Sequence, residues 1–98
     1  MTVEKMLERK LQTLVKRLGG IALKLYCLSF SGLPDRMILM PHGKIYFLEL
    51  KSTGKTPSPR QCLVHTFLRK LDFEVAWLDD DLTLALFIEM LEEDQNLA

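Results

Sequence analysis

The sequence of 98 residues has only two cysteines, one tryptophan and two tyrosines. It also has no run of about 18 consecutive apolar residues, which a membrane-spanning helix requires. Its first ten residues, MTVEKMLERK, alternate in charge where a secretion signal would be apolar. These absences predict a cytoplasmic protein that does not enter a membrane. The length predicts one domain over residues 1–98, built around a single core.

The two cysteines, Cys27 and Cys62, are too few for a disulfide framework and lack the close spacing of a zinc-binding pair. Unpaired cysteine behaves as a small apolar residue and is commonly buried in folded proteins. We therefore expect both cysteines to be reduced and to lie in the core.

Basic residues are absent from the last part of the chain, although the formal net charge is zero. All 13 Lys and Arg lie in residues 1–70 with only four acidic residues, a formal charge of +9, and residues 71–98 carry −9. Such asymmetry predicts a basic surface for a polyanion and an acidic region away from it. Alternatively, the two parts neutralise each other within the fold.

Hydrophobic periodicity predicts the element order αβββαβα, an α/β fold in which helices flank a mixed four-stranded sheet. The fourth strand follows a helical crossover and should therefore pair in parallel. Residues 3–18 have helical spacing and end at Gly19-Gly20. The other predicted elements are strands over 21–28, 35–40, 44–51 and 73–78, a helix over 58–71, and a helix from 79–81 to near residue 93.

The second helix has a clear sequence start, with Ser58 as its N-cap, Pro59 as its first residue and Gln61 three residues after the cap. Its predicted apolar stripe consists of Leu63, Val64, Phe67, Leu68 and Leu71.

The strand segment FLELK, residues 47–51, contains two charges in an apolar setting. Side chains alternate along a strand, so Glu49 and Lys51 share one face. A hairpin turn centred on His42 would place Asp35 opposite Glu49, whereas a two-residue turn at His42-Gly43 would move Asp35 to the other face. Two adjacent carboxylates repel unless a cation lies between them, and Mg²⁺ prefers such oxygen ligands. The alternative for FLELK is an exposed salt bridge that contributes under about 1 kcal/mol.

The pattern Pro34-Asp35, thirteen further residues, and Glu49-Leu50-Lys51 resembles the signature of the PD-(D/E)xK nuclease superfamily. The surrounding segments LVKRLGG, SGLPDRMIL, FLELKSTGKTPSPRQ and EVAWLDD are similar to the VRR-NUC (virus-type replication-repair nuclease) domain in its small stand-alone form. The resemblance covers about residues 4–88 and implies a restriction-endonuclease-like fold.

This resemblance implies that Asp35 and Glu49 bind Mg²⁺, for which Mn²⁺ can substitute, and that the backbone carbonyl of Leu50 adds a further ligand. Such a cation lowers the pKa of a bound water and neutralises charge on the scissile phosphate. Lys51 would orient or activate the attacking water electrostatically. The family also has an acid on its first helix, for which Glu8 is the candidate and Glu4 the alternative.

Three further polar positions have two interpretations each. In the family, a glutamine at the position of Gln61 faces the active site, whereas the capping pattern predicts that it binds Ser58. His65 could act as a general base, although a lone histidine near a helix surface is more often structural or solvated. Asp79-Asp80-Asp81 could suggest a second metal site, but helix capping is the favoured interpretation.

DNA contacts are expected from basic residues around the metal site: Lys24, Arg36, Lys55 and Arg60, with Lys16 and Arg17 as further candidates. No series of aromatic residues suggests base stacking, so recognition of shape and backbone is expected. The sequence thus predicts a metal-dependent DNA endonuclease, structure-selective for branched or four-way junction DNA. The alternatives are a general duplex endonuclease or nickase, and a DNA-binding module without catalysis.

The last helix contains LTLALFIEMLEE, in which apolar residues spread beyond one core-facing stripe. Since one domain provides one metal cleft, symmetric cutting of two strands would require two copies. We therefore expect a homodimer that uses helix surfaces of the C-terminal half or the second helix, with Phe87 in the contact.

Overall fold

The computed structural model describes residues 1–98, which form three α-helices around one four-stranded sheet. This confirms the predicted element order and the mixed sheet. None of the helices has the length and hydropathy needed to cross a membrane. The elements are α1 (Val3–Arg17), β1 (Ile21–Lys24), β2 (Arg36–Met40), β3 (Lys44–Leu50), α2 (Pro59–Lys70), β4 (Glu74–Leu78) and α3 (Asp81–Leu97).

The strands lie in the order β1-β2-β3-β4, with β1, β2 and β3 antiparallel and β4 parallel to β3. β2 and β3 are joined by a short 3-10 turn, Pro41–Gly43, in which His42 has a φ of 67°. Arg36 pairs with Leu48, which is the register expected for a turn centred on His42. The one-residue shift that would have turned Asp35 away from Glu49 is therefore excluded.

The side chains of β3 alternate between two apolar clusters on opposite faces of the sheet. Tyr46, Leu48 and Leu50 are buried in the larger cluster, together with residues of α1 and α3. Phe47 packs on the smaller cluster formed with α2 and β4. Glu49 therefore projects from the α2 face of the sheet, while the larger core lies behind it.

β1 is shorter than predicted, because it ends at Lys24 and not at Leu28. The amide of Leu25 still donates to the carbonyl of Asp35 at 2.9 Å, but β2 begins at Arg36 and offers no partner beyond that point. The chain then leaves the sheet as a loop, in which Leu28 is 98% exposed.

Both cysteines are free and exposed, so the prediction that they lie in the core is wrong. Cys27 lies in the loop after β1, where no strand or helix covers it. Cys62 lies on the solvent side of α2, with its thiol near the carbonyl of Pro57 at 3.7 Å. Their exposure depends on where β1 ends and on how α2 is oriented, and hydrophobic periodicity does not determine either.

The start of α2 confirms the predicted capping. The Ser58 hydroxyl accepts a hydrogen bond from the Gln61 amide at 3.1 Å, and Gln61 Oε1 accepts one from the Ser58 amide at 2.8 Å. These two bonds satisfy donors that a helix N-terminus otherwise leaves free.

The predicted apolar stripe of α2 is only partly correct. Val64 and Leu68 are buried, and the remaining buried position is taken by His65. Three predicted stripe residues are more than half exposed: Leu63, Phe67 and Leu71. The helix therefore presents a narrower stripe to the sheet than its apolar content suggested.

α3 begins with Asp80 as N-cap, and it extends to Leu97, beyond the predicted end near Glu93. Phe87 is 5% exposed and packs edge-on against Tyr46 at a centroid distance of 6.2 Å. Phe87 is thus a core residue, and its expected place in a dimer contact is wrong. The exposed apolar residues of α3 include Leu82 and Leu86.

Candidate active site

Asp35 and Glu49 meet where the β2–β3 hairpin ends. Asp35 directly precedes β2, and Glu49 follows the Arg36–Leu48 pair on the neighbouring strand. The backbone amide of Leu50 donates to Asp35 Oδ1 at 3.2 Å, which ties the Asp35 side chain to β3. Glu49 is 3% exposed, although it is a charged residue. The hairpin register therefore places the two carboxyl groups side by side, as the sequence predicted.

The electrostatics of the pair reflect this closeness. The pKa of Glu49 is raised to about 7, chiefly by burial and then by the charge of Asp35 and a hydrogen bond with it, against the positive charges of Lys51 and Arg36. Burial also raises the pKa of Asp35, against the charge of Arg36 and the bond from Leu50. Both carboxylates are thus costly to ionise together unless positive charge is supplied.

The donor set fits a hard divalent cation. Asp35 and Glu49 present two adjacent carboxyl groups, and burial raises the pKa of both, so added positive charge would stabilise their ionised forms. No group of three or more His, Cys, Asp or Glu side chains is arranged to hold a metal ion. The protein ligands would therefore be two carboxylates with backbone and water oxygens, which is a set that Mg²⁺ accepts. The predicted backbone ligand, Leu50, lies between Glu49 and Lys51 and bonds Asp35 through its amide.

Lys51 follows β3 and is half-buried. Its backbone amide donates to the carbonyl of Leu78 at 2.8 Å, which extends the pairing of β3 with β4. Its positive charge lowers the pKa of Glu49 and that of His65, so the ammonium lies close to both side chains. The structure therefore brings Lys51 together with the carboxylate pair.

Glu8 of α1 reaches this end of the sheet through Arg36. Arg36 Nη2 donates to Glu8 Oε2 at 2.5 Å, and Arg36 Nη1 lies 3.6 Å from Asp35 Oδ1. Glu8 is thus paired to a cation of the protein and has no recorded contact with the carboxylate pair. Glu4, the alternative acid of α1, is exposed, and after burial its charge also raises the pKa of Asp35, so it lies within electrostatic range of the site.

Arg36, which was expected to contact DNA, is buried and paired within the protein. Arg36 is 7% exposed, since it shares the inward face of β2 with Ile38 and Met40. Its guanidinium bonds Glu8 and the carbonyl of Asp35, which leaves it unavailable to a phosphate. The alternation of β2 was the signal that could have shown this.

His65 lies at the site, although its sequence position favoured a structural or solvated histidine. It is 2% exposed, and its Nε2 lies 3.5 Å from Glu49 Oε1. Burial lowers its pKa, as do the charges of Arg69 and Lys51. The spacing of four residues from Gln61 could have shown that His65 shares a helix face with a residue expected near the site.

Gln61 lies at the start of α2, and its side-chain oxygen is engaged in the bond to Ser58. The structure thus shows the capping role, and it records no bond from Gln61 to Asp35, Glu49 or Lys51.

The remaining basic candidates are exposed, but not all of them lie at the site. Lys24 ends β1 opposite Arg36, and Lys55 lies in the loop between β3 and α2. Arg60 donates to the carbonyl of Ser31 at 3.2 Å, and its guanidinium carbon is 5.4 Å from the centroid of the Phe30 ring. Lys16 and Arg17 are exposed in the last turn of α1, which lies near Pro41 at the turn end of the hairpin, away from Asp35 and Glu49. A groove of about 380 Å³ opens beside Arg60 along α2.

The three consecutive aspartates have separate structural roles. Asp80 caps α3 and accepts the Thr83 amide at 2.8 Å. Asp81 pairs with Lys10 at 2.8 Å on the surface. Asp79 accepts the Gly54 amide at 3.0 Å and so anchors the loop that carries Lys55. The structure thus agrees with capping for Asp80 and adds a loop anchor.

A hairpin that ends in paired carboxylates and a lysine, within this αβββαβα fold, defines a nuclease of the PD-(D/E)xK superfamily with a restriction-endonuclease-like fold. No family model matches the chain. A solved structure described as "VRR_NUC domain" matches 91% of this chain and 97% of its own, with a TM-score of 0.85 and 29% identity. The chain is also 40% identical over 76 residues to "Putative nuclease p44" of Acyrthosiphon pisum secondary endosymbiont phage 1, covering 78% of this chain and 82% of that protein. The chain therefore belongs to the VRR-NUC family of nucleases.

Proposed function

We propose that this protein is a Mg²⁺- or Mn²⁺-dependent DNA endonuclease that hydrolyses phosphodiester bonds in branched or four-way junction DNA. The observation that carries the proposal is the pairing of Asp35 with Glu49 beside Lys51. The pKa values of both carboxyl groups are raised by burial, which fits a site for an added cation. An exposed salt bridge is a poorer explanation, because Glu49 is buried and its pKa is raised.

Asp35 and Glu49 would hold the cation, with the carbonyl of Leu50 as a further ligand and an acid of α1, Glu8 or Glu4, near the site. The bound cation supplies positive charge for the phosphate oxygens and makes a nearby water more acidic. Arg36 holds Asp35 from the side of α1 and limits its motion. The chain thus holds Asp35 from outside the site before metal binds.

Lys51 orients the attacking water and stabilises negative charge that develops on the phosphate. Its half-buried stem restricts where the ammonium can lie. His65 does not take this part, since it is almost fully covered and faces Glu49. Gln61 has its side-chain oxygen engaged by Ser58 and would need to leave that bond to contact the site.

Exposed basic residues would bind the DNA backbone on either side of the metal: Lys24, Lys55 and Arg60, with Lys16 and Arg17 at greater reach. We withdraw Arg36 from this set because its guanidinium is buried and paired. Contacts of this kind bind phosphates without reading bases, which suits recognition of DNA shape.

Selectivity for branched DNA would depend on a homodimer. One chain of 98 residues, proposed as one domain, provides one carboxylate pair. Paired cuts in two strands require two such pairs held by a two-fold axis. The exposed apolar residues of α2 and α3 are the two surfaces available for this contact.

Because the similar protein belongs to a phage, the proposed setting is a bacterial or phage-infected cell, with the cytoplasm as the location and DNA repair as the role. A general duplex endonuclease or nickase uses the same site and is the alternative activity. A DNA-binding module without catalysis is less well supported, because Asp35, Glu49 and Lys51 are all present.

The test is digestion of linear duplex, flapped and four-way junction DNA with Mg²⁺, Mn²⁺ or a chelator. We expect paired incisions in the four-way junction, dependent on the metal, and no cleavage with Asp35→Asn or Glu49→Gln. Both substitutions keep the side-chain shape while removing the charge that binds metal. Equal cleavage of duplex and junction would favour the general endonuclease, and cleavage by either variant at the wild-type rate would reject the site.

A further inference from the structure

Buried polar atoms without a hydrogen bond are few in this fold. They are Arg36 Nε, Glu49 Oε1 and His65 Nε2, and the last two lie 3.5 Å apart. Buried polar groups are normally satisfied, and leaving one unpaired costs about 1 to 3 kcal/mol. The close placement of two such atoms at the carboxylate pair therefore requires an explanation.

Packing alone does not explain a histidine at this position. His65 lies on the buried stripe of α2 between Val64 and Leu68, where an apolar side chain would pack without a polar atom. A neutral imidazole carries a hydrogen on one ring nitrogen and accepts at the other, so His65 can donate through Nε2 where that nitrogen faces a carboxylate oxygen.

We propose that His65 is a positioning residue that donates its Nε2–H to Oε1 of Glu49. The bond fixes the rotation of the carboxylate and leaves its other oxygen to bind the cation. This inference rests on the metal-dependent activity proposed above. It adds that α2, which supplies no metal ligand of its own, affects how tightly Glu49 of β3 binds the metal.

The geometry favours this role over general base catalysis. His65 is 2% exposed and its Nε2 faces Glu49, so the imidazole does not reach a water or a phosphate beyond that carboxylate. Hydrogen bonds to metal-binding carboxylates from such outer residues commonly affect metal affinity or activity about 10- to 100-fold. An effect of that size should be measurable without DNA.

The experiment compares three variants of α2: His65→Leu, His65→Gln and Leu68→Ala. Leucine removes the N–H at similar volume, glutamine retains an N–H donor on a side chain of similar length, and Leu68→Ala loosens the same buried stripe away from Glu49. We expect His65→Leu to weaken Mn²⁺ binding in calorimetry about 10- to 100-fold, and His65→Gln to recover most of the loss. Leu68→Ala should lower the melting temperature but retain Mn²⁺ affinity.

Wild-type Mn²⁺ affinity in a folded His65→Leu variant would overturn the inference, and so would a His65→Gln variant no better than leucine. Long-range ¹H–¹⁵N spectra of the metal-free wild type provide a second readout, with only two histidines to assign. We expect the Nε2–H tautomer for His65 and a shift of that nitrogen in Glu49→Ala. An Nδ1–H tautomer would also overturn the inference. A wild type that binds Mn²⁺ but cuts no DNA would contradict the proposed function alone, because the affinity comparison still tests His65.

Discussion

Arg36 Nη2 donates to Glu8 Oε2 at 2.5 Å, and this bond joins α1 to the start of β2. The same guanidinium donates to the backbone carbonyl of Asp35 at 2.9 Å. Arg36 therefore fixes the residue that follows Pro34 in the PD motif, from the side of the sheet opposite to Glu49. Arg36 therefore holds Asp35 in place, and its charge opposes the burial that raises the pKa of Asp35.

Replacing Arg36 by methionine should destabilise the protein and weaken metal binding. Removing one partner of a buried ion pair costs about 3 to 5 kcal/mol. Because Glu8 keeps some contact with water, we expect a smaller loss of about 2 kcal/mol in the free energy of unfolding, measured by urea denaturation. Lys24→Met is the matched control, since Lys24 is the exposed cross-strand neighbour of Arg36 and its loss should change stability little.

The double variant Glu8→Gln with Arg36→Met should recover part of the stability, because no unpaired charge then remains. An Arg36→Met protein as stable as the wild type would contradict the structural role of Arg36 in pairing with Glu8 and Asp35. Arg36 would then again be a candidate DNA contact.

Lys51→Ala should remove cleavage while leaving metal affinity within a few-fold of the wild type. The ammonium is placed to act on the water and the phosphate, and it does not bind a cation itself. Single-turnover cleavage and Mn²⁺ calorimetry on the same preparation separate these two effects. A collapse of metal affinity together with activity would mean that Lys51 supports the site structurally.

The metal-free protein should lose stability as the pH rises. The pKa of Glu49 is raised to about 7 in the folded state from an ordinary 4.5, so the unfolded chain loses its proton first and stability falls as pH rises through this range. The raised pKa of Asp35 acts in the same direction. The lowered pKa of His65 acts oppositely, mainly below its ordinary value of 6.5 and with a smaller effect that fades within about one pH unit above it.

The net effect of Glu49 should therefore appear between pH 6.5 and 8. We expect the melting temperature of the metal-free wild type to fall by about 2 to 4 °C over this interval. The melting temperature of Glu49→Gln should change less with pH over the same range, and this variant should be more stable than the wild type at pH 8. Added Mg²⁺ should raise the melting temperature of the wild type at pH 8 but not that of Glu49→Gln. A wild type that gains stability from pH 6.5 to 8 without metal would contradict this account.

The hairpin was the part of the site that the sequence predicted best. Its register followed from the turn at His42, and strand alternation then placed Asp35 beside Glu49. The capping of α2 was equally local, because Ser58 and Gln61 are three residues apart. Features set by neighbouring residues could therefore be read from the order of residues alone.

The orientation of α2 could not be predicted in the same way. Apolar residues surround much of this helix, so its sequence does not decide which stripe meets the sheet. In the structure, α2 turns His65 toward the sheet at Glu49 and leaves Phe67 exposed. This orientation of the helix depends on the shape of the sheet surface. The role of Arg36 was missed for a related reason, since its partner Glu8 lies 28 residues away on α1.

Asp79→Ala should reduce DNA affinity without changing the carboxylate pair. Asp79 accepts the Gly54 amide at 3.0 Å, and its carbonyl accepts the Thr53 hydroxyl at 2.8 Å, so it anchors the loop that carries Lys55. One such hydrogen bond contributes about 1 kcal/mol, which corresponds to about fivefold in affinity. Fluorescence anisotropy in a Glu49→Gln background measures binding without cleavage. Asp81→Ala, which removes only the exposed pair with Lys10, should bind DNA like its parent, and an equal loss in both variants would contradict the anchoring role.

The homodimer prediction can now be assigned to particular surfaces. Phe87 is unsuitable as a probe, because it packs on Tyr46 in the core and Phe87→Glu would unfold the protein. Phe67 on α2 and Leu86 on α3 are 57% and 56% exposed, so a charge at either position leaves the core intact. The two helices pack in the separate apolar clusters on opposite faces of the sheet, which means that a two-fold contact through one leaves the other free.

Sedimentation equilibrium at micromolar concentration should show a wild-type dimer, and either Phe67→Glu or Leu86→Glu should shift it to monomer. Whichever variant abolishes the dimer should also convert paired incisions in a four-way junction into single nicks, because the two carboxylate pairs are then no longer held together. The other variant serves as the control, because it adds the same charge to a free surface and should retain both the dimer and the paired cuts. A wild type that is monomeric at these concentrations and still makes paired incisions would reject the homodimer, and the nickase alternative would gain support if it made single cuts only.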